Sequence, residues 1–169
     1  DMRAAGRELL SVALMDARNH CLHLADQIVT HTQSSSPAIA PCDAFDPPAW
    51  QLGHIGWFQE WWIARNLQRG RGRHGDPLAT RLPSLESDAD AWWDDARVPR
   101  AQRWQLELPQ TDALKIYLLA TLESTLELLE KSAQTHDGLY FYRLALAHED
   151  MHGEELVTVA QALGVPLDI

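Results

Sequence analysis

The sequence predicts an all-α protein, a four-helix bundle with long connections. Four long stretches carry apolar residues mostly three or four positions apart, which is the spacing of the buried face of a helix. No stretch alternates between apolar and polar residues over the length of a strand. The connections between the four stretches are unequal, which permits an order of helices other than simple up-and-down. With 169 residues, 46% of them hydrophobic, the chain can form one core, so we expect a single domain over residues 1–169.

The first helix is predicted over Arg3–Thr30. Its apolar positions recur at three and four and would form one buried face: Leu9, Leu10, Ala13, Leu14, Ala17, Leu22, Leu24 and Ile28. The following residues, 31–48, combine Ser, Pro and Asp without periodicity. This composition predicts an irregular connection.

The second helix is predicted over residues 49–68, after the proline pair at 47–48. Proline suits the first turn of a helix, and Asp46 is placed to cap it. Gly53 and Gly56 weaken the helix, each by about 1 kcal/mol relative to Ala. We therefore expect them to permit the close approach of another backbone.

Residues 69–85, rich in Arg, Gly and Pro, predict a long surface loop. A short helix is expected within residues 86–96, followed by an extended stretch over residues 97–109. The third long helix is predicted from Thr111 to about Gln134, and the last over residues 139–164, ended by its final glycine.

Composition excludes several classes of partner and location. The net charge is −10, so anionic nucleic acid and anionic membranes would be repelled on average. No apolar stretch approaches the length needed to span a bilayer, and the first residues do not resemble a secretory leader. The two cysteines, Cys21 and Cys42, do not form a disulfide framework. We expect a protein of the reducing cytoplasm, without nucleic-acid or membrane partners.

The segment "HEDMHGEE", residues 148–155, is the strongest functional signal. His148 and His152 are one helical turn apart and share the stripe of Val159, which is expected to face the core. Eight histidines in the chain make a chance pair at this spacing common, so the spacing alone is weak evidence. Two buried imidazoles without partners would be costly, and a metal ion would remove that cost.

Three alternatives compete for this motif. His148, Glu149 and His152 match the HExxH of zinc peptidases, but few residues follow to supply a further ligand. A ferritin-like dinuclear site needs a second Glu-x-x-His, which the sequence does not provide. The histidines can also be core residues satisfied by carboxylates or water, or the polar face of an ordinary helix.

A third ligand from another helix fits better, and His54, surrounded by Trp50, Trp57, Phe58 and Trp61, is the natural candidate. His20 and His23 remain alternatives, although the neighbouring Arg18 and Asn19 suggest a solvated position. The other histidines are expected to be exposed in loops: His31, His74 and His136. Three imidazoles bind zinc, iron, copper or nickel, and three ligands leave positions open for chemistry.

The segments "PPAWQLGHIGWFQEWW" and "YFYRLALAHEDMHGEEL" together resemble the DinB-like N-terminal domain of ergothioneine-type sulfoxide synthases. "HEDMHGE" and "RLPSLESDADAWWDDARVPRAQRWQLELP" are still more similar to their selenoneine-forming relatives. The resemblance implies a DinB-like bundle in which His54, His148 and His152 bind Fe(II). It implies an enzyme that uses dioxygen to join sulfur or selenium from a chalcogen donor to hercynine, the trimethylated form of histidine.

Two features depart from the family pattern. Met151 stands where sulfoxide synthases often have a glutamine that contacts the substrate imidazole, which favours the selenium-type relatives. The family also has a C-terminal domain resembling the formylglycine-generating enzyme, and we expect it to lie outside this chain. Arginines 69, 71 and 73 lie where relatives can hold a donor carboxylate, but solvated loop charges are the favoured interpretation.

Two hypotheses follow. In the first, the chain is the iron-binding domain of such a synthase, and Trp57 and Trp61 hold the trimethylammonium group of hercynine by cation–π attraction, together with Met151. In the second, it is a stand-alone bundle that binds zinc or nickel. That bundle would be a thiol transferase or a homodimer without catalytic activity, associating through an apolar face.

Overall fold

The computed structural model describes residues 2–35 and 39–168. Within these residues the chain is helical and has no β-strand, which confirms the predicted all-α fold class. Short 3₁₀ turns lie at Met2–Ala4, Arg69–His74 and Arg100–Gln102. The α-helices are α1 (Arg7–Ser35), α2 (Pro48–Trp62), α3 (Ala89–Trp93), α4 (Thr111–Glu130) and α5 (His136–Leu163). Among the described helices none is long and apolar enough to cross a membrane.

The four long helices form a bundle that is not simply up-and-down. Helix α1 runs antiparallel to α4, because Arg7 bonds the carbonyl of Glu130 while Arg18 bonds that of Leu118. Helix α5 runs parallel to α1 and antiparallel to α2. The connection between α2 and α4 is therefore the long crossover that the unequal loops allowed.

The end of α5 was predicted correctly, but its beginning was not, because the helix starts at His136, three residues before the predicted start. The hydroxyl of Thr135 accepts a hydrogen bond from the backbone N–H of Gly138 at 3.0 Å, which caps the start. Gly164 ends the helix in the left-handed conformation, with φ of 69°. The predicted end of this helix is confirmed.

Several predicted boundaries were wrong. Helix α1 begins later than Arg3 and continues to Ser35, where Thr32 bonds back to the carbonyl of Ile28. Its predicted following connection is partly helical, and residues 36–38 lie outside the described residues. The surface loop and the extended stretch each contain one of the 3₁₀ turns.

Helices α2 and α4 both end earlier than predicted. Helix α2 ends at Trp62 because Arg65 turns away to bond the carbonyl of Leu82 and the carboxylate of Asp90. Helix α4 ends at Glu130, where Ser132 bonds the carbonyl of Leu128. The contacts of Arg65 join residues far apart in the sequence, so no local pattern indicates them.

Asp46 does not cap α2, contrary to the prediction. The helix has no side-chain cap, and the carboxylate of Asp46 instead contacts Arg103 at 2.9 Å and Arg100 at 3.4 Å. These arginines come from the crossover connection, so the ion pairs fix that segment against the start of α2.

The glycines of α2 allow close approach, as expected, but to side chains rather than to a backbone. A methyl group at Gly53 would overlap the indole of Trp93, and one at Gly56 would lie 2.8 Å from Leu118. Trp93 belongs to α3, so Gly53 is the position that lets this short helix pack directly on α2.

A buried polar layer joins all four long helices. Arg18 of α1 is 2% exposed and donates to the Glu149 carboxylate of α5, with its Nε 2.6 Å from Oε1. Its other nitrogens donate to the carbonyl of Leu118 on α4 at 2.6 Å and to Gln59 of α2 at 3.2 Å. The expectation that Arg18 marks a solvated end of α1 was wrong, although the neighbouring His20 and His23 are exposed as predicted.

Replacing Arg18 should strongly destabilise the bundle. Arg18→Ala leaves the Glu149 carboxylate buried and unpaired, so we expect a loss of about 3–5 kcal/mol in the free energy of unfolding. Urea denaturation followed by circular dichroism measures it. Lys115→Ala is the matched control, because it breaks an exposed pair with Asp26 and should cost at most about 1 kcal/mol. Equal losses in both variants would contradict a structural role for the buried layer.

Candidate metal centre

Three histidines from α2 and α5 meet inside the bundle. His54 of α2, and His148 and His152 of α5, each offer one ring nitrogen, and these nitrogens lie within 4.8 Å of one another. The Nε2 atoms of His54 and His148 are 3.2 Å apart. Because α2 and α5 are antiparallel neighbours, the single histidine of one faces the i, i+4 pair of the other. The three imidazoles could hold a metal ion.

The ring of His54 is oriented by α3. Its Nδ1 lies 2.8 Å from the carbonyl oxygen of Trp93, the last residue of that helix. A carbonyl only accepts, so Nδ1 carries the proton and Nε2 presents its lone pair to the centre of the cluster. The last carbonyls of a helix have no partner within the helix, and His54 satisfies this one. Trp50 stacks on the other side, with ring centroids 4.8 Å apart, and donates to the carbonyl of Trp92.

His152 is oriented by two side-chain acceptors. Its Nδ1 lies 3.1 Å from a carboxylate oxygen of Glu155 and 3.4 Å from the amide oxygen of Gln51. Both acceptors place the proton on Nδ1, which leaves Nε2 free for a metal, as at histidine-ligated sites generally. His148 is fixed by stacking, because its ring lies parallel to that of Phe58 with centroids 3.7 Å apart.

Burial keeps the three imidazoles neutral. Desolvation, together with the neighbouring His152 and His54, lowers the pKa of His148 to about 2. Burial likewise lowers the pKa of His152 to about 4 and lowers that of His54, against the hydrogen bond to Trp93, which raises it. A metal therefore does not have to displace a proton from these nitrogens near neutral pH.

A cavity of about 270 Å³ opens onto the three histidines. Trp50 and Phe58 form its aromatic walls, and Met151, which is 46% exposed, lies at its mouth. The charged residues around it are Asp46, Asp95, Arg103 and Glu155. The guanidinium of Arg103 covers the ring of Trp50, 3.9 Å from the centroid. The open side of the histidine cluster therefore faces a chamber with aromatic and acidic walls.

The predicted substrate residues are placed differently from one another. Met151 lines the cavity, whereas Trp57 and Trp61 lie beyond the ring of His54 and do not line it. Trp57 is buried and donates to Asp90, and the ring of Trp61 is approached by the guanidinium groups of two arginines. A substrate role for these two tryptophans stays a prediction.

Several residues at the site were missed by sequence reasoning. Gln51 and Glu155 each lie three positions from a site histidine on the same helix, and that spacing was an available signal. Arg103 and the carbonyl of Trp93 come from the crossover connection, and no local pattern indicates them. Arginines 69, 71 and 73 do not line this cavity.

Two of the competing interpretations of the motif, the zinc peptidase and the dinuclear site, lose support. Glu149 cannot act as the base of a zinc peptidase, because both of its carboxylate oxygens accept hydrogen bonds from Arg18 on the far side of α5. Among the described residues, the only group of ligands that converges is the three histidines, without the carboxylates of a dinuclear site. His20 and His23 are not part of it.

Over the described residues, fold and site together define an all-helical bundle with a three-histidine cluster that could hold a metal ion. The chain is similar to hercynine oxygenase of Mycolicibacterium thermoresistibile, with 29% identity over 160 residues, and of Mycolicibacterium smegmatis, with 30% identity over 162 residues. Each alignment covers 94% of this chain but only 31% and 33% of the relative, respectively. The chain thus spans about a third of the length of these relatives. No model of a protein family matches the sequence.

Acid should destabilise the metal-free protein through the histidine cluster. The pKa of His148 is lower in the folded than in the unfolded state, so its contribution to stability is present above about pH 6.5 and is lost as the pH falls. Each pH unit below that value costs about 1.4 kcal/mol for a histidine that stays neutral in the fold. Urea denaturation from about pH 7 to about pH 5 should show a smaller acid loss in His148→Ala than in wild type.

His20→Ala is the control for this comparison, because His20 is exposed and lies outside the cluster. It should keep the wild-type pH dependence. Identical slopes for wild type, His20→Ala and His148→Ala would show that the cluster does not carry the effect. Burial raises the pKa of Glu149, so the contribution of Glu149 to stability increases as the pH falls. This is opposite in sign to the effect of His148, and comparing the slopes of the variants separates the two.

Metal content should depend on all three site histidines. We expect about one ion per chain in wild type and in His20→Ala, and a large loss in each of His54→Ala, His148→Ala and His152→Ala, because two imidazoles hold a metal much more weakly than three. Elemental analysis after dialysis, with circular dichroism to check folding, measures this. Full occupancy in the folded site variants would refute the centre.

Proposed function

We propose that this chain is the iron-binding helical domain of an oxygen-dependent enzyme that forms a carbon–sulfur or carbon–selenium bond on hercynine. The observation that carries the proposal is the three-histidine cluster at the bottom of an open cavity. The similarity to hercynine oxygenases over 94% of the chain supports the substrate class and the metal. The complete activity would need the part of those relatives that this chain does not span.

The donor set fits ferrous iron. Three neutral imidazoles on one side leave the opposite side open to the cavity, which is the arrangement of a catalytic rather than a purely structural site. Iron bound by His54, His148 and His152 would supply the activation of dioxygen. The same nitrogens accept zinc or nickel, so the metal found after purification discriminates between the synthase and a stand-alone zinc or nickel bundle acting as a thiol transferase or a non-catalytic dimer.

The residues around the cluster orient its ligands. The carbonyl of Trp93 and the acceptors Gln51 and Glu155 hold the Nδ1 protons, so the ligating nitrogens point inward before a metal arrives. Phe58 covers one face of His148 and keeps water from it. The three histidines and the groups that orient them come from α2, α3 and α5.

The cavity favours a cationic substrate. Of its three acids, Asp46 is paired with arginines and Glu155 bonds His152. Asp95 has no ion pair among the described residues and is exposed at the rim. We assign Asp95 to the trimethylammonium group of hercynine. Met151, in place of the glutamine often found in sulfoxide synthases, favours selenium over sulfur as the element joined to hercynine.

Hercynine binding tests the proposal. Protein loaded with Fe(II) under anaerobic conditions is titrated with hercynine by calorimetry. We expect binding in wild type and roughly a five-fold weakening in Asp95→Asn, because an ion pair at a partly exposed rim contributes about 1 kcal/mol. Asp43→Asn, an exposed acid that does not line the cavity, should bind as wild type does.

The same titration decides the aromatic residues. Trp61→Leu should leave hercynine binding unchanged if the cavity walls are Trp50 and Phe58. A loss of binding would instead support the prediction from the sequence that Trp61 holds the trimethylammonium group. No hercynine binding by iron-loaded wild type would reject the substrate class, and zinc or nickel as the resident metal would favour the stand-alone bundle.

A further inference from the structure

A second cavity, of about 220 Å³, lies between the turn after α2 and the first turns of α5. It shares no lining residue with the histidine cavity. Its apolar floor consists of Trp62, Tyr140, Phe141 and Leu144, and its rim includes Asn66, Arg73, Asp76 and Arg81. The cavity therefore combines an aromatic surface with two arginines.

Arg81 is the unusual residue in this cavity. Its guanidinium carbon lies 5.0 Å from the ring centroids of both Trp61 and Trp62. Its Nε donates to the carbonyl of Trp61 and one terminal nitrogen donates to that of Ala79. The other terminal nitrogen is buried and has no hydrogen-bond partner among the described residues. The side chain is thus fixed while both N–H groups of this nitrogen remain unused.

The charge of Arg81 is only partly balanced. The neighbouring Arg65 makes a two-point ion pair with Asp90, but Arg81 has no ion pair within the described part of the chain. Burial lowers the pKa of Arg81 and the charge of Arg65 lowers it further, whereas the carboxylate of Asp76 raises it. Asp76 makes no ion pair with Arg81, so an anionic ligand in direct contact with the guanidinium would stabilise this charge further.

Arg73 adds a second positive charge at the rim. It follows Gly72, whose φ of 54° favours glycine and whose Cα region packs against the backbone of Asp137 at the start of α5. Arg73 is exposed and has no ion pair among the described residues. Asp76 is the one acid in the lining, and its carboxylate accepts the N–H of Leu78. Two arginines against one engaged acid leave the cavity positive in a chain whose net charge is −10.

We propose that this cavity binds a small carboxylate attached to a flat apolar body, with the carboxylate at Arg73 and Arg81 and the body on Trp62 and Phe141. The geometry favours such a ligand over a bare anion because the floor is aromatic: Trp62 stacks on Phe141 with centroids 5.2 Å apart. The site is separate from the proposed iron chemistry and does not depend on it. Trp62 also lies beside Phe58, which stacks on His148, so two aromatic rings would separate the ligand from His148.

Benzoate is the probe for this site, and calorimetry with the purified chain at low ionic strength is the measurement. We expect millimolar or tighter binding by wild type and roughly a ten-fold weakening in Arg73→Gln, which corresponds to about 1.4 kcal/mol, near the lower limit for a hydrogen bond to a charged group. Arg81→Lys, which keeps the charge but loses the fork, should also weaken binding. Arg71→Gln is the matched control, because Arg71 is exposed in the same segment and does not line the cavity.

Three results would overturn the proposal. One is the absence of benzoate binding by wild type. Another is an equal weakening in Arg71→Gln and Arg73→Gln, which would indicate a general attraction of anions to the segment. The third is binding of inorganic phosphate as tightly as benzoate, because it would remove the role of the aromatic floor. Thermal unfolding of each variant shows whether a loss of binding reflects a loss of fold, and Arg73→Gln at an exposed position keeps the test valid if Arg81→Lys is unstable.

Discussion

The buried ion pair between Arg18 and Glu149 is the constraint on which the arrangement of the four long helices depends. A guanidinium in this position must satisfy several donors at once, and it does so with acceptors from α2, α4 and α5. Apolar clusters lie on both sides of this layer along the bundle. Because Glu149 lies between His148 and His152 in sequence, turning it toward α1 turns the two histidines toward α2. The polar layer therefore sets the rotation of α5 that the candidate metal centre requires.

The candidate metal centre also requires a fixed orientation of His54. This orientation is provided by the crossover connection rather than by the long helices. Helix α3 packs on α2 at Gly53, where a larger residue would overlap Trp93. Its terminal carbonyls then accept hydrogen bonds from His54 and Trp50. The crossover is held in place by the Asp90 pair with Arg65 and by Glu60, which accepts bonds from Ser84 and from Leu85. A helix of five residues can orient a ligand because its own unpaired carbonyls need partners.

Local signals in the sequence predicted the helices, the end of α5 and the histidine pair, since each depends on periodicity or on a single residue type. His54 was found through its aromatic neighbours and through resemblance. The roles of Arg18 and Arg103 were not found, because each depends on residues far away in the sequence, and an arginine on a helix is ordinarily solvated. The early end of α2 was missed for the same reason. What sequence reasoning lacked was the long-range pairing that turns a charged residue inward.

The charges near the cluster explain why imidazoles are the groups that converge there among the described residues. Glu149 is committed to Arg18, and Glu155 bonds the far nitrogen of His152, so neither carboxylate faces the three inward nitrogens. A dication held by three neutral imidazoles keeps its full charge, because no ligand in the set neutralises it. That charge would attract anionic or polarisable groups to the open side, while Asp95 at the rim attracts a cation. A substrate carrying both kinds of group would thus be oriented by the cavity, with its cationic end outward and its reacting end toward the histidines.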